Sequence, residues 1–191
     1  VKMGDYVLIQ GPGQQGLSCT FASKHAGAAK IFGIGIGRDM PRLELAKKFG
    51  ATRIINVEQE DVVEVVRKET NGELCDVVVD VSGNPNAILK SVDCLHRQST
   101  MVLGGLTGDT TVTPMLMDKL VWNEIKLQGC FTADNDATEA ALRIIEETKF
   151  PVEQMVSHIF PLKDIEHCIR SIGGEVPGTF PTKALINPAI G

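Results

Sequence analysis

The sequence has no cluster of basic residues and no long apolar run, and each absence excludes a class of protein. Its 191 residues carry 19 Lys and Arg against 24 Asp and Glu, which gives a net charge of −5. The grouped positive charge that nucleic acids and anionic membrane surfaces require is therefore missing. No apolar run approaches the roughly 20 residues of a membrane-spanning helix. The first residues also lack the basic-then-apolar layout of a secretory signal.

Cysteine pairs are absent as well. The five cysteines are widely spaced and form no CxxC motif, so they predict neither a disulfide framework nor a structural metal site. No grouping of Cys, His and Glu has the spacing of metal ligands. We expect five reduced and mostly buried thiols, which are typical of a cytoplasmic protein. These are Cys19, Cys75, Cys94, Cys130 and Cys168.

The sequence does contain a regular alternation of short apolar runs and amphipathic segments. Strands are predicted at 6–9, 31–37, 54–56, 76–81, 101–103 and 125–130, and helices at 16–29, 39–50, 61–70, 84–94, 115–122 and 138–149. In the helix that starts near Asp39, this residue is the predicted N-cap and Pro41 lies in the first turn. Nearly continuous apolar strands that alternate with helices are typical of a parallel sheet covered on both faces. We therefore predict an α/β fold with a doubly wound six-stranded parallel sheet.

The pattern changes at Pro151. An apolar run at 155–160, a helix at 162–172, a turn rich in Gly and Pro and a strand at 182–187 do not continue the alternation. The chain is accordingly predicted to consist of a main domain, residues 1–150, and a short C-terminal extension, residues 151–191, that packs elsewhere.

A glycine-rich turn follows the first predicted strand and opens the first helix. It reads Gly11-Pro12-Gly13-Gln14-Gln15-Gly16, a GxGxxG motif. The first glycine makes the tight turn, the second lets the backbone approach a pyrophosphate, and the third lets the helix pack closely on the strand. The helix N-terminus then offers N–H groups and positive dipole to the phosphates. In this strand–turn–helix context the motif predicts a Rossmann fold that binds a dinucleotide, whereas a plain structural turn is the alternative.

The end of the second strand bears on which dinucleotide is bound. An NAD site places an acidic residue there, about 20 residues after the motif, against the ribose 2′-hydroxyl. Here Gly37 stands in the expected position and Arg38 follows it. A guanidinium in place of a carboxylate suits a 2′-phosphate, and Arg42 could assist. We therefore predict NADP rather than NAD. In the alternative interpretation Arg38 is a solvated surface residue and Asp39 is the ribose ligand.

Together these segments resemble a known family. The chain contains, in order, GDYVLIQGPGQQGL, PRLELAKKFGATRIIN, DVVVDVSGNPNAI, MVLGGL and IKLQGCF. This succession is similar to the medium-chain dehydrogenase/reductase superfamily, in its zinc-containing alcohol or polyol dehydrogenase branch. The similarity runs from Val1 to about Pro188, and the ordered set of motifs is far more specific than the glycine turn alone.

The resemblance implies roles for further cofactor-binding residues. The loop Val81-Ser82-Gly83 matches the segment that passes the adenosine and nicotinamide riboses, and Leu103-Gly104-Gly105 matches the loop under the nicotinamide ribose. The segment Gly129-Cys130-Phe131 matches backbone that orients the carboxamide, and Lys183 matches a basic residue at the pyrophosphate. Simpler alternatives are a turn hydroxyl for Ser82, a small buried hydrophobic side chain for Cys130 and a surface lysine for Lys183.

The resemblance also implies a function, namely hydride transfer between the nicotinamide cofactor and a small-molecule alcohol or carbonyl. The catalytic zinc and the substrate pocket of such enzymes belong to a separate catalytic domain, on which residues 151–191 would pack. We therefore expect no catalytic or metal-binding residue in this chain, and the chain alone to be inactive. The edge strand near 125–131 implies a homo-oligomer, a dimer or tetramer. Two alternatives are a zinc-free quinone or enoyl reductase and a non-catalytic nucleotide-sensing module.

Overall fold

The computed structural model describes residues 1–147 and 150–190, which form two compact units divided between residues 149 and 150. In the first unit all strand pairs are parallel and form one six-stranded sheet in the order β3-β2-β1-β4-β5-β6. The strands are β1 Tyr6–Gln10, β2 Lys30–Gly35, β3 Arg53–Asn56, β4 Cys75–Asp80, β5 Leu95–Leu103 and β6 Lys126–Gly129. The predicted sheet is confirmed, and this strand order is that of the Rossmann fold.

The helices follow the strands as predicted, although several ends differ. They are α1 Gln14–His25, α2 Met40–Lys48, α3 Val62–Glu69, α4 Pro85–Val92, α5 Met117–Trp122 and α6 Asn135–Glu146. Asp61, Asn84 and Asp134 cap α3, α4 and α6 by accepting hydrogen bonds from first-turn N–H groups. The predicted end of the sixth helix, at residues 148 and 149, lies outside the described residues.

Asp39 occupies the predicted N-cap position of α2, but its side chain does not cap the helix. Asp39 instead closes the 3₁₀ turn Gly37–Asp39, where its Oδ2 atom accepts a hydrogen bond from the Ile36 N–H at 3.2 Å. The turn captures the side chain because Asp39 lies three residues after Ile36, the reach of a local side-chain-to-backbone bond.

The core covers both faces of the sheet. Val7, Leu8 and Ile9 are each at most 2% exposed, and successive strand residues point to opposite faces, so β1 is buried on both sides. The predicted apolar face of α2, formed by Leu43, Ala46 and Phe49, is buried as well. Burial of apolar surface stabilises the fold by roughly 25 cal/mol per Å². This packing holds the strand ends in fixed positions.

The second unit is a small strand–helix–strand motif. Strand β7 Val156–Pro161 pairs in parallel with β8 Lys183–Asn187, and helix α7 Ile165–Ile172 connects them. As expected, this segment adds no strand to the six-stranded sheet: its two strands form a separate two-stranded sheet. None of the described helices is long and apolar enough to cross a membrane.

Candidate functional site

A cleft of about 760 Å³ opens at the carboxyl ends of the central strands. Its walls come from the ends of β1 and β2, the loop between β3 and α3, and the loop and first turn that follow β4. Strands β1 and β4 are neighbours in the sheet, so the cleft lies at the point where the strand order reverses. Open α/β sheets bind their ligands at such points. The lining residues are Gln10, Gly11, Pro12, Ile34, Gly35, Ile36, Arg38, Asp39, Val57, Gln59, Glu60, Asp61, Val62, Ser82, Asn84, Asn86, Ala87 and Lys90.

The glycine turn between β1 and α1 is closely packed at its two ends and open in its middle. A Cβ atom at Gly16 would lie 1.8 Å from the Gly11 carbonyl oxygen, and one at Gly11 would lie 3.1 Å from the Ser82 backbone nitrogen. A Cβ atom at Gly13 would meet nothing within 4 Å. The chain itself therefore requires glycine at positions 11 and 16, whereas the space at Gly13 is open.

The N-terminus of α1 has the features of an anion site. Gly13 occupies the N-cap position, and among the described residues no side chain caps the helix and no acidic residue lies in its first turn. Gln14 and Gln15, the first two helical residues, are exposed. Helix N-termini carry positive dipole and N–H groups that bind phosphate, and here both are presented directly after β1.

At the end of β2 four charged side chains surround Gly37. The Glu58 carboxylate, from the loop after β3, accepts a hydrogen bond from the Gly37 N–H at 2.8 Å. Asp39 is engaged with its own turn and also with Arg42, whose Nη1 atom lies 3.1 Å from Asp39 Oδ1. Arg38 is exposed and lines the cleft. The sequence has no acidic residue at position 37, but the loop after β3 supplies a carboxylate there.

The loops after β4 and β5 are joined through Asp80. This residue is fully buried. Its Oδ1 atom accepts a hydrogen bond from the Ser82 hydroxyl at 2.6 Å and its Oδ2 atom accepts one from the Gly83 N–H at 3.0 Å. Its backbone carbonyl accepts hydrogen bonds from the N–H groups of Gly104 and Gly105. The Ser82 hydroxyl thus makes hydrogen bonds within its own turn, and its contact with a cofactor stays a prediction.

Backbone contact between these two loops is close. A Cβ atom at Gly105 would lie 2.2 Å from the Gly83 nitrogen, and one at Gly83 would lie 2.2 Å from the Leu106 carbonyl oxygen. Val81 and Leu103, which precede the glycines, are half-buried. The structure therefore brings the predicted segments 81–83 and 103–105 together.

The segment 129–131 at the end of β6 contradicts the alternative of a small buried side chain at Cys130. Gly129, Cys130 and Phe131 are exposed, so Cys130 is not a small buried hydrophobic residue. The reason is that β6 is the edge strand, and all four of its residues are exposed. The Cys130 N–H still donates to the Leu103 carbonyl at 2.9 Å, which ties this segment to the loop after β5. Cys19 is half-buried; burial, together with nearby Cys130, raises the pKa of its thiol.

The remaining predicted residues lie elsewhere. Lys183 begins β8 in the second unit, and its contact with a pyrophosphate stays a prediction. His158 and His167 flank Phe160 in the same unit, and His96 pairs with Asp76 at the amino end of the sheet. Within the described residues, no group of three His, Cys, Asp or Glu side chains is arranged to hold a metal ion.

The sequence interpretation missed one wall of the cleft, the β3–α3 loop and the start of α4. Asp61 there accepts a hydrogen bond from Lys90 Nζ at 2.7 Å. This contact, followed by hydrogen bonds from the Glu64 and Val63 N–H groups, holds the pKa of Asp61 below its usual range. A signal was available, because β3 ends at the same edge of a parallel sheet as β1 and β2, and its following loop must therefore face the same cleft.

Comparison with known proteins places these features in a family. The family described as zinc-binding dehydrogenase matches residues 16–147. A probable alcohol dehydrogenase of Mycobacterium tuberculosis is 32% identical over 190 residues, 98% of this chain and 52% of that protein. An L-threonine 3-dehydrogenase of Caldanaerobacter subterraneus is 33% identical over 180 residues, 91% of this chain and 51% of that protein.

A solved structure agrees with these relatives. The alcohol dehydrogenase zinc-binding domain protein from Burkholderia ambifaria superposes with a TM-score of 0.86 at 25% identity, covering 98% of this chain and 50% of that one. The chain thus spans about half the length of the relatives it matches. Because the family match covers well over half of the chain, including the loops around Asp80, the chain belongs to the zinc-binding dehydrogenase family.

Proposed function

We propose that this chain is the NAD(P)-binding part of a zinc-type alcohol or polyol dehydrogenase, which transfers hydride between a nicotinamide cofactor and a small-molecule alcohol or carbonyl. Membership of the family implies a nicotinamide cofactor. The observation that carries the proposal is the glycine turn, whose packed ends at Gly11 and Gly16 and open middle at Gly13 lie beside an uncapped helix N-terminus.

The residues of the chain fit such a cofactor in three places. The N–H groups at Gln14, Gln15 and Gly16 would bind the pyrophosphate. The loops 81–83 and 103–105, which Asp80 holds together, would carry the nicotinamide ribose, and the backbone at 129–131 would orient the carboxamide. When bound, the nicotinamide accepts or donates the hydride. A zinc ion in the whole protein would polarise the alcohol oxygen, while this chain positions and orients the cofactor.

We favour NADP over NAD on the chemistry at the end of β2. Arg38 lines the cleft, and a guanidinium can bind a 2′-phosphate with two hydrogen bonds. The competing interpretation requires Asp39 as the ribose ligand. Both Asp39 oxygens are already engaged, one with the Ile36 N–H and the other with Arg42, which supports a structural role for that residue.

Two exposed apolar surfaces support proposals about partners. Beside edge strand β6, Val121, Trp122, Leu127 and Phe131 are exposed, which fits contact between subunits of a dimer or tetramer. On α7, Ile165, Ile169 and Ile172 are exposed, which fits packing of the C-terminal segment on a catalytic domain. A cytoplasmic location stays a prediction from the reduced cysteines.

Calorimetric titration of the 191-residue chain with NADPH and with NADH tests the proposal. We expect NADPH to bind more tightly. Arg38→Ala should weaken NADPH binding roughly tenfold, the value of one charge-assisted hydrogen bond, with little change for NADH. Arg97→Ala, which removes an exposed arginine near the amino end of β5, is the control. Equal or tighter NADH binding overturns the NADP preference, and binding of neither cofactor overturns the proposed function. Zinc analysis of the whole protein separates the zinc-dependent from the zinc-free branch.

A further inference from the structure

We propose that Glu58 is a second specificity-determining residue, which opposes Arg38 by placing a carboxylate where the 2′ group of the adenosine ribose would lie. The inference rests on the proposed function, because it concerns the cofactor that the cleft would bind. It assigns a role to the β3–α3 loop, which the glycine motif and the end of β2 do not involve.

The position of the Glu58 carboxylate carries the argument. An NAD site places an acidic side chain at the end of β2, and in this chain that position is Gly37. A Cβ atom built on Gly37 would lie only 2.7 Å from Glu58 Oε2. The Glu58 oxygen therefore occupies the space into which an acidic side chain at position 37 would extend. Gly37 has no side chain there, and the carboxylate comes instead from the loop that follows the neighbouring strand β3.

The loop holds Glu58 at this place through the strand register. The Val57 N–H donates to the Gly35 carbonyl at 3.1 Å, which extends the pairing of β2 and β3 by one residue. The Glu58 N–H donates to Oδ1 of buried Asn56 at 3.1 Å. Glu58 Oε2 then accepts the Gly37 N–H at 2.8 Å. These three bonds orient an exposed carboxylate toward the end of β2.

The charges at this site act in opposite directions on the two cofactors. Asp39 and Arg42 form an ion pair at 3.1 Å, whereas Arg38 and Glu58, both exposed, carry opposite charges at the end of β2. A carboxylate accepts a hydrogen bond from a ribose hydroxyl but repels a phosphate, and it also occupies the Gly37 N–H that a phosphate oxygen would use. Arg38 therefore favours NADP, whereas Glu58 favours NAD and limits the preference of the site for NADP over NAD.

Adenosine 2′,5′-bisphosphate and 5′-AMP are suitable probes, because they differ only in the 2′-phosphate and lack the nicotinamide half. We expect Glu58→Gln to raise the affinity for the bisphosphate roughly tenfold by removing a like charge, and to lower the affinity for 5′-AMP about threefold by weakening an acceptor. Glutamine keeps the size of the side chain and an oxygen for the Gly37 N–H. Glu73→Gln, which removes an exposed acid before the amino end of β4, is the matched control.

The results separate the two proposals. If the wild-type chain binds both probes and Glu58→Gln changes neither affinity, or changes them as Glu73→Gln does, the role of Glu58 is wrong while the dinucleotide site stands. If the wild-type chain binds neither the probes nor NADPH, the proposed function fails and this inference fails with it. A double variant, Arg38→Ala with Glu58→Gln, should bind the two probes with similar affinity, because both opposing charges are gone.

Discussion

At the amino ends of the strands charged side chains pair between neighbouring elements, whereas at the carboxyl ends ion pairs are accompanied by backbone that lies directly against backbone. The first group includes Asp76 with His96 at 3.0 Å and Lys30 with Glu69 at 3.1 Å. The second group includes the contacts at Gly16 and Gly105, where a Cβ atom would clash. Exposed ion pairs tolerate substitution, while close backbone contact does not. The end of the sheet that would bind the cofactor is therefore the end with the least freedom to vary.

The largest effect is expected at Gly16. In Gly16→Ala the new Cβ would lie 1.8 Å from the Gly11 carbonyl oxygen, and relief of this overlap requires α1 to move away from β1. We expect the free energy of unfolding to fall by about 3 kcal/mol or more and NADPH binding to be lost. Urea unfolding and calorimetry measure the two effects.

Gly13→Ala is the matched control for that change, because a Cβ atom at Gly13 meets nothing within 4 Å. We expect its free energy of unfolding to stay within about 0.5 kcal/mol of wild type while NADPH binding weakens, since the second glycine of the motif lets the backbone approach the pyrophosphate. A Gly16→Ala chain as stable as wild type would refute the packing argument.

An intermediate effect is expected at Asp80. Asp80→Asn places an amide against the Ser82 hydroxyl or the Gly83 N–H, both of which now donate to the buried carboxylate. We expect a loss of about 1–3 kcal/mol in the free energy of unfolding together with weaker cofactor binding. Asp76→Asn removes the corresponding charge at the amino ends and should leave binding unchanged. Equal loss of cofactor affinity in Asp80→Asn and Asp76→Asn would contradict the proposed difference between the carboxyl and amino ends of the strands.

The smallest expected effect is a pH dependence of the free energy of unfolding, which arises from an ion pair at the amino ends of the strands. Burial alone would lower the pKa of His96, but its hydrogen bonds to Asp76 and to the Arg97 carbonyl outweigh burial and raise it. Burial would raise the pKa of Asp76, but hydrogen bonds from the Tyr6 N–H and from His96 lower it. The stabilisation is thus present between the ordinary pKa values of Asp and His, about 4 and 6.5. It is lost as pH rises through the raised His96 pKa, and again as pH falls through the lowered Asp76 pKa.

Urea unfolding of the wild type and of His96→Gln at about pH 5.5 and about pH 8.5 measures this contribution. The two side chains are 35% and 37% exposed, so we expect the wild type to lose less than about 1 kcal/mol between these pH values relative to the variant. The same pH dependence in both proteins would exclude the pair as its source. NADPH binding should be equal in both at either pH.

The sequence correctly predicted the strands and helices whose apolar runs end at a glycine or at a capping side chain. It predicted β5 only at 101–103, whereas the strand begins at Leu95, because His96, Arg97 and Gln98 interrupt the apolar pattern. Whether a strand lies at the edge of a sheet is equally hard to predict from the sequence. The alternative of a small buried residue at Cys130 failed because β6 lies at the edge of the sheet.

The same holds for the site: its local features were predictable from the sequence, whereas its contacts between elements were not. The glycine turn was predictable because its spacing is local. Glu58 was not, because its approach to Gly37 depends on the register between β2 and β3, with Gly35 opposite Asn56. The N-cap position of Asp39 was predictable, but the hydrogen bond of its side chain was not, because two local backbone partners compete for one carboxylate.

The contact between Gly83 and the loop after β5 has a consequence for protein engineering. Since Gly105 lies against Gly83, and Gly83 against Leu106, neither loop can gain a side chain at these points without displacing the other. Exchange of one loop alone with that of a relative would separate two loops that fit closely against each other in this chain. Grafts intended to change cofactor or substrate preference should therefore transfer both loops together, with Asp80 as their common anchor.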